Sequence, residues 1–388
     1  MRCNLVRSNC FLKFATRFAD LLTAFAVLLF VVHECSADEL RFFVGTYTGG
    51  KSKGIYTATI DTETGKVSTP ELAAETRNPS FLAIHPSNQF LYAVGEVSDF
   101  EGKKSGAVAA FKINKEKGGL SLLNKQASKG GAPCHLVVDQ KGKFVLFANY
   151  GGGNVGALQI GKDGKLGTHS GFVQHKGSSV SPRQKGPHAH SINLDKFNRF
   201  AVAADLGLDK LISYRLTENG ALESAAEFKE KPGAGPRHFV FHPNAKYGYL
   251  LNEMNATVTA LSYMSHSGEF HKMQTLSTLP EDFDGRKSCA EVRIHPSGKF
   301  LYCSNRGHDS IAVYSVNEDG HLTRLEIVKT GGKEPRNFNL DPTGNFLLAE
   351  NQKSDTIVVF RIDQESGKLT PTGQVVQVPT PVCIRFLN

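Results

Sequence analysis

Six stretches of the chain repeat one pattern of apolar and polar positions: FLAIHPSNQFLYAVGEV from Phe81, HLVVDQKGKFVLFANYGG from His135, HSINLDKFNRFAVAADLG from His190, HFVFHPNAKYGYLLNEMN from His238, EVRIHPSGKFLYCSNRGH from Glu291 and NFNLDPTGNFLLAENQKS from Asn337. Each opens with a short apolar run, breaks at His-Pro, Asp-Pro or Asp with Gly or Asn nearby, and resumes with a second apolar run. That reads as strand, turn, strand. A further strand pair follows, as in SIAVYSVN then HLTRLEIVKT, or TIVVFRID then KLTPTGQVV. Four strands recur every 46 to 54 residues, counted between Pro79, Pro133, Pro187, Pro236, Pro335 and Pro381, with Cys289 in the equivalent place of the sixth unit. This period and strand number indicate the blades of an all-β propeller.

The ends complete the ring. Pro381-Val-Cys-Ile-Arg-Phe-Leu387 is a first strand with nothing after it, and Arg41-Phe-Phe-Val-Gly-Thr-Tyr47 is a second strand with nothing before it. Sharing one blade closes the ring and removes exposed sheet edges. The expected fold is a seven-bladed β-propeller with four antiparallel strands per blade, a single domain over 38–388. The stretch 176–186 is the least regular and reads as an inserted loop between the third and fourth units.

Composition alters the picture at the N-terminus. Arg2, Arg7, Lys13 and Arg17 precede the apolar run Leu21 to Val32, and Cys35-Ser36-Ala37 supplies small residues of the kind a signal peptidase reads. The run has 12 residues, where a spanning helix needs about 20. Residues 1–37 are therefore expected to be a cleaved signal peptide. The mature chain would be secreted or periplasmic, with no stable membrane insertion and a monomeric state. The formal charge of +8 falls to +6 without that segment, and the lysines are scattered over turns. This is a solvated surface, with no nucleic-acid partner expected. Four cysteines remain, Cys134, Cys289, Cys303 and Cys383; no C-x-x-C spacing occurs. Buried free thiols are the simpler reading, with a Cys289–Cys303 disulfide as the alternative.

A hairpin brings the start of its first strand and the end of its second to one rim. Strand starts place His135, His188, His190, Arg237, His238, Glu291, Arg293 and Arg336 there. Strand ends add Thr46, Tyr47, Glu96, Asn149, Asp205, Glu253, Asn305, Arg306, His308, Glu350 and Asn351. Midpoints in the turns pair Arg237 with Glu253, Glu291 with Arg306 and Arg336 with Glu350. This rim departs from the repeat in each blade, as a functional site would. His188 and His190, two apart on a strand, would point the same way and can move protons near neutral pH. Arg237 and Arg306 offer forks for a carboxylate, phosphate or oxyanion, and Glu253 can orient a histidine or act as a base. His85, His242 and His295 lie in His-Pro turns at the far rim and read as turn formers. A metal held by His188, His190 and Glu253 is the alternative, but no H-E-x-x-H or cysteine cluster supports it, so neither metal nor cofactor is expected. No G-x-S-x-G elbow or phosphate-cradling loop occurs.

From Leu40 onward the chain resembles the seven-bladed β-propeller lactonases, a family that includes a bacterial type of 6-phosphogluconolactonase and the fungal carboxy-cis,cis-muconate cyclase. The resemblance rests on GPRHFVFHPN (Gly235 to Asn244), LLNE (Leu250 to Glu253), SNRGHDSIAVY (Ser304 to Tyr314) and PHAH (Pro187 to His190). It implies catalytic roles for His188 or His190, Arg237, Glu253 and Arg306. Around them His135, His238, Arg293, Asn305, His308, Arg336 and Asn351 are expected to bind substrate. The implied activity is hydrolysis of a small sugar lactone in carbohydrate metabolism, by His/Glu-assisted attack of water with arginine stabilisation of the oxyanion. Export sets the chain apart from cytoplasmic sugar-phosphate chemistry. A non-catalytic propeller binding carbohydrate or protein is the alternative function, and a lactonising cyclase a further one.

Overall fold

The computed structural model describes residues 39–387, so the signal segment expected over 1–37 lies outside the described residues. The described chain forms seven four-stranded antiparallel sheets arranged as the blades of a propeller. Blade 1 is composite: its inner strand Pro381–Phe386 pairs with Glu39–Thr46, followed outward by Gly54–Asp61 and Glu71–Glu75. The inner strands of blades 2 to 7 are Leu82–Ile84, Pro133–Val138, Ala189–Leu194, Pro236–Phe241, Cys289–Ile294 and Pro335–Leu340. Each packs against the next, and Pro381–Phe386 touches both the Pro335–Leu340 and the Leu82–Ile84 strand, which closes the ring.

Burial follows position within a blade. Second strands such as Phe144–Asn149, Phe200–Asp205 and Phe346–Asn351 are buried at every residue, because both faces pack on neighbouring blades. Outermost strands such as Leu222–Lys229 instead mix exposed and half-buried residues.

The His-Pro turns do more than turn. Nε2 of His85, His242 and His295 donates to the carbonyl oxygen of Gly142, Gly298 and Gly344 in the next blade, each at 3.0 Å. Their Nδ1 atoms accept backbone N–H groups of their own turns at 3.1 to 3.2 Å. Gly142 has φ +66° and fits this latch, since a Cβ there would lie 2.2 Å from Nε2 of His85. Buried tyrosines repeat the device one layer outward: Tyr92, Tyr249 and Tyr302 donate to the carbonyls of Gly164, Gly320 and Gly367 in the following blade.

The repeat frame needs one correction. The register pairs Pro133 with Asn149, Pro236 with Asn252 and Pro335 with Asn351, and the equivalent pair in blade 4 is Ala189 with Asp205. Ala189, not Pro187, therefore occupies the proline place. Pro187 and His188 precede the strand and belong to the end of the inserted loop. Cys289 and Cys303 are not cross-strand partners, Cys289 facing Asn305 and Cys303 facing Val292. All four cysteines are buried free thiols.

Candidate active site

One local irregularity builds the site. In blades 3, 4, 5, 7 and 1 the inner-strand register slips by one residue immediately after its first pair, leaving Cys134, His190, Arg237, Arg336 and Val382 as the bulged residues. Such a bulge re-aims side chains and breaks simple alternation. His190, Arg237 and Arg336 thus stand at one level of the central channel, and the following residues, His135, His238 and Asn337, lie one step deeper.

Glu253 ties the arginines together. Its Oε2 accepts from Nε of Arg237 at 3.1 Å and lies 2.9 Å from Nη2 of Arg306; its Oε1 accepts from Nη2 of Arg183 at 2.9 Å. The Arg237, Arg306 and Glu253 side chains are only 2, 8 and 6% exposed, whereas Arg183 is 51% exposed. Arg237 also donates to the Ala290 carbonyl, and Arg306 to that of Cys289 at 3.2 Å. Burial disfavours the Glu253 carboxylate, but Arg306, Arg237, His190 and Arg183 outweigh it and hold the carboxyl well below the usual range. Glu253 is therefore a permanent anion and a feeble base. Burial pulls Arg306 down to about 10, against the attraction of Glu253, so it stays charged at neutral pH.

The histidines fall into two groups. Nδ1 of His188 donates to the Tyr150 carbonyl at 2.9 Å, and the ring stacks on Tyr150 at 4.5 Å. The buried His190 ring packs edge-on to Tyr150 at 5.3 Å and to His238 at 5.4 Å. Burial first, then the charge of Arg237, pushes His190 well below its ordinary pKa, so its ring is neutral. Deeper, His238 bonds through Nδ1 to Oε1 of Glu291 at 3.0 Å, and Asn337 donates to the other oxygen of that carboxylate. His135 accepts the Ile192 N–H on Nδ1 at 3.3 Å and stacks against Phe81 at 4.1 Å. Burial holds both of these rings neutral as well. Arg336 completes the wall by donating to the Tyr47 hydroxyl at 2.9 Å, which donates in turn to Glu96 at 2.7 Å. A small cavity in the channel is bounded by Arg237, His238, Arg336, Asn337, Glu96 and Ser80.

The structure thus gathers His188, His190, Arg237, Glu253, Arg306, His135, His238 and Arg336. It places the other expected residues elsewhere. Asn305 bonds to Ser310 in its own blade and to Thr278, just past the outer strand of the preceding blade; Asn351 likewise bonds to Thr356 and, across the same kind of junction, to Thr330. Asn149 makes the same kind of bond to the Ser128 carbonyl, so these asparagines are part of the repeat. His308 packs on Phe283 and bonds Ser310, outside the central group. Arg293 lies deep in the channel, 3.6 Å from Glu291. Two expected pairs are exchanged: Arg306 meets Glu253 rather than Glu291, and Arg336 meets Tyr47 rather than Glu350. In the latter blade the bulge sets Asn337, not Arg336, opposite Glu350.

Tyr150 and Arg183 are site residues that the repeat did not mark. Tyr150 follows the last residue of a strand, and Arg183 sits on the inserted loop; its partner Glu253 is 70 residues away. Among the described residues, no group of three or more His, Cys, Asp or Glu is placed to hold a metal ion.

The family model described as "Lactonase, 7-bladed beta-propeller" matches residues 41–386. The chain is 42% identical over 347 residues to a 6-phosphogluconolactonase of Bacillus subtilis, covering 89% of this chain and 98% of that one. It is 36% identical to a 6-phosphogluconolactonase of Formosa agariphila, covering 84% and 94% respectively. Among solved structures, the periplasmic gluconolactonase of Pseudomonas aeruginosa superposes with a TM-score of 0.85 at 31% identity, over 90% of this chain and 99% of that one.

Proposed function

The chain belongs to the seven-bladed β-propeller lactonases, and from that premise we propose that it hydrolyses the ring ester of a small sugar lactone with His190, Arg237 and Arg306 at the reacting atoms. The observation that carries this reading is the pair of buried guanidinium groups fixed on one carboxylate oxygen of Glu253, with the buried His190 imidazole close enough to feel the charge of Arg237. Fixed donors aimed at developing negative charge in a dry site are the strongest single aid to acyl transfer.

The lactone carbonyl sits against Arg237 and Arg306. His190 removes a proton from water as its oxygen attacks the carbonyl carbon, and the two arginines stabilise the oxyanion. The tetrahedral intermediate collapses, the bond to the ring oxygen breaks, and that oxygen takes the proton from His190. Glu253 is too weak a base to compete; it orients the arginines, and its charge keeps the His190 pKa from falling further. His188, stacked on Tyr150, forms the side wall of the substrate site.

Export by a cleaved segment 1–37, delivering a monomeric mature chain, completes the proposal. It is supported by the short apolar run of that segment and by the likeness to the periplasmic gluconolactonase. Among the described residues no helix is long and apolar enough to cross a membrane. N-terminal sequencing of the chain recovered outside the cytoplasm should begin at or near Asp38.

The activity test is the initial rate of opening of glucono-δ-lactone and 6-phosphogluconolactone, with spontaneous hydrolysis subtracted and R237A and H190A alongside. Turnover in the parent that falls in both variants is expected. No rate above background in the parent, or an undiminished rate in R237A, would defeat the assignment.

A further inference from the structure

We propose that Arg183 determines substrate specificity, selecting lactones that carry an anionic group outside the ring ester. The inference rests on the lactonase reading for its substrate class but on separate observations for its residue. The two oxygens of Glu253 face different neighbours: Oε2 meets the buried Arg237 and Arg306, and Oε1 meets the half-exposed Arg183. Arg237 and Arg306 are further occupied by the Ala290 and Cys289 carbonyls. Arg183 alone of the three places its guanidinium at the solvent side. One nitrogen, Nη2, makes both of its contacts, to Glu253 at 2.9 Å and to the Tyr150 hydroxyl at 3.3 Å, leaving the rest of the fork for a ligand.

The loop that carries Arg183 is fastened rather than loose. Ser181 caps the short turn Pro182–Gln184, and the fully buried Gln184 donates to the Leu206 carbonyl at 2.8 Å. Ser179 reaches Asp209 at 2.5 Å. Because only Nη2 is engaged, the remaining nitrogens of the half-exposed guanidinium can take an incoming anion while the contact to the buried Glu253 is kept. A planar fork then binds a phosphate ester or a carboxylate through two parallel hydrogen bonds. The ring ester stays with Arg237 and Arg306 while Arg183 reads the substituent.

The test compares kcat/KM for 6-phosphogluconolactone and for the carboxylate-bearing glucaro-1,4-lactone, each as a ratio to glucono-δ-lactone, in the parent, R183Q and R183K. Calorimetric binding of 6-phosphogluconate and gluconate is measured in parallel. In R183Q the ratio for the preferred anionic lactone should fall about 10- to 100-fold, with partial recovery in R183K. Which of the two ratios falls identifies the anion. Binding of 6-phosphogluconate, but not gluconate, should weaken if that anion is phosphate.

Unchanged ratios, equal losses on all three lactones, or a parent with no preference for either anion would overturn the proposal and leave Arg183 as a brace for Glu253. If the parent opens no lactone yet binds 6-phosphogluconate in an Arg183-dependent way, the hydrolytic reading fails and the anion subsite stands.

Discussion

Replacing Glu253 by glutamine keeps the shape of the site and removes the one charge on which three arginines converge. Two of these, Arg237 and Arg306, have side chains only 2 and 8% exposed, so neither can recover solvation when the carboxylate is gone. Removing one partner of a buried ion pair costs about 3–5 kcal/mol, and the half-exposed Arg183 contact adds less than about 1. Since glutamine can still accept from one guanidinium, E253Q should lose about 3 kcal/mol at pH 7. That is a large share of the roughly 5–15 kcal/mol that holds a folded domain together.

The loss carries a pH signature. The folded Glu253 carboxyl is held far below the unfolded value, which is about 4.3. Its stabilisation is therefore fully present above that value and disappears as pH falls through it towards the folded one. Urea denaturation of parent and E253Q from pH 8 to 3 should show a constant gap down to about pH 5.5 and a shrinking gap below. A gap under about 1 kcal/mol at pH 7, or one that does not narrow in acid, would refute the account of Glu253 as the hub of the site.

R237A should keep its fold while turnover falls about 10²- to 10³-fold; a loss below tenfold would remove Arg237 from the oxyanion. Because burial keeps His190 neutral well below the ordinary histidine pKa, kcat/KM should stay level as pH drops from 8 past 6.5 and decline only further into acid. A half-maximum at or above pH 6.5 would place the base elsewhere. Burial raises Cys289 to about 12 and Cys383 to about 11, and Cys134 and Cys303 are raised too. Iodoacetamide at pH 8 should accordingly label none of the four until denaturant is added; rapid labelling of the native chain would contradict this. Glu350 is fully buried, and burial, opposed by Arg385 and reinforced by Glu291, raises its carboxyl pKa well above the ordinary value. The unfolded chain then releases this proton first as pH rises, so Glu350 costs stability at neutral pH. E350Q should be more stable than the parent at pH 7 by at least about 1 kcal/mol, with the difference vanishing near pH 4; a less stable variant would show that the carboxylate is ionised and paired.

The ring of blades was legible because its cause is local. Every blade needs the same turn residues and the same inward apolar strand, so the repeat is written in adjacent letters, and the unpaired strands at the two ends revealed the shared blade. The pairing of Arg237 with Glu253 was legible for the same reason, being the product of one hairpin. What lay between blades was not. Arg306 reaches Glu253 from another blade, and no spacing within a hairpin reports that. The bulges defeated the two-residue rule, setting His190 level with Arg237, while His188 lies before the strand at the end of the inserted loop. Pro187 drew the repeat frame two residues early because Ala189 stands where other blades have proline. Asn305 and Asn351 carried a usable signal that was read the wrong way. Asparagine recurs at that place in four blades as Asn149, Asn252, Asn305 and Asn351, and recurrence marks a structural part rather than a site.

The clasp in blade 1 ties closure of the ring to the pairing of two strands far apart in sequence. Its innermost strand is Pro381–Phe386, the last of the described strands, and it pairs with Glu39–Thr46, the first of them. Until that end arrives the ring stays open, and the Glu39–Thr46 strand keeps an unpaired edge ready to join another chain. A product cut short by even these few residues has six whole blades and no closed wheel. The clasp is thus the seam of the ring: paired, it leaves no raw edge, and unpaired, it exposes one.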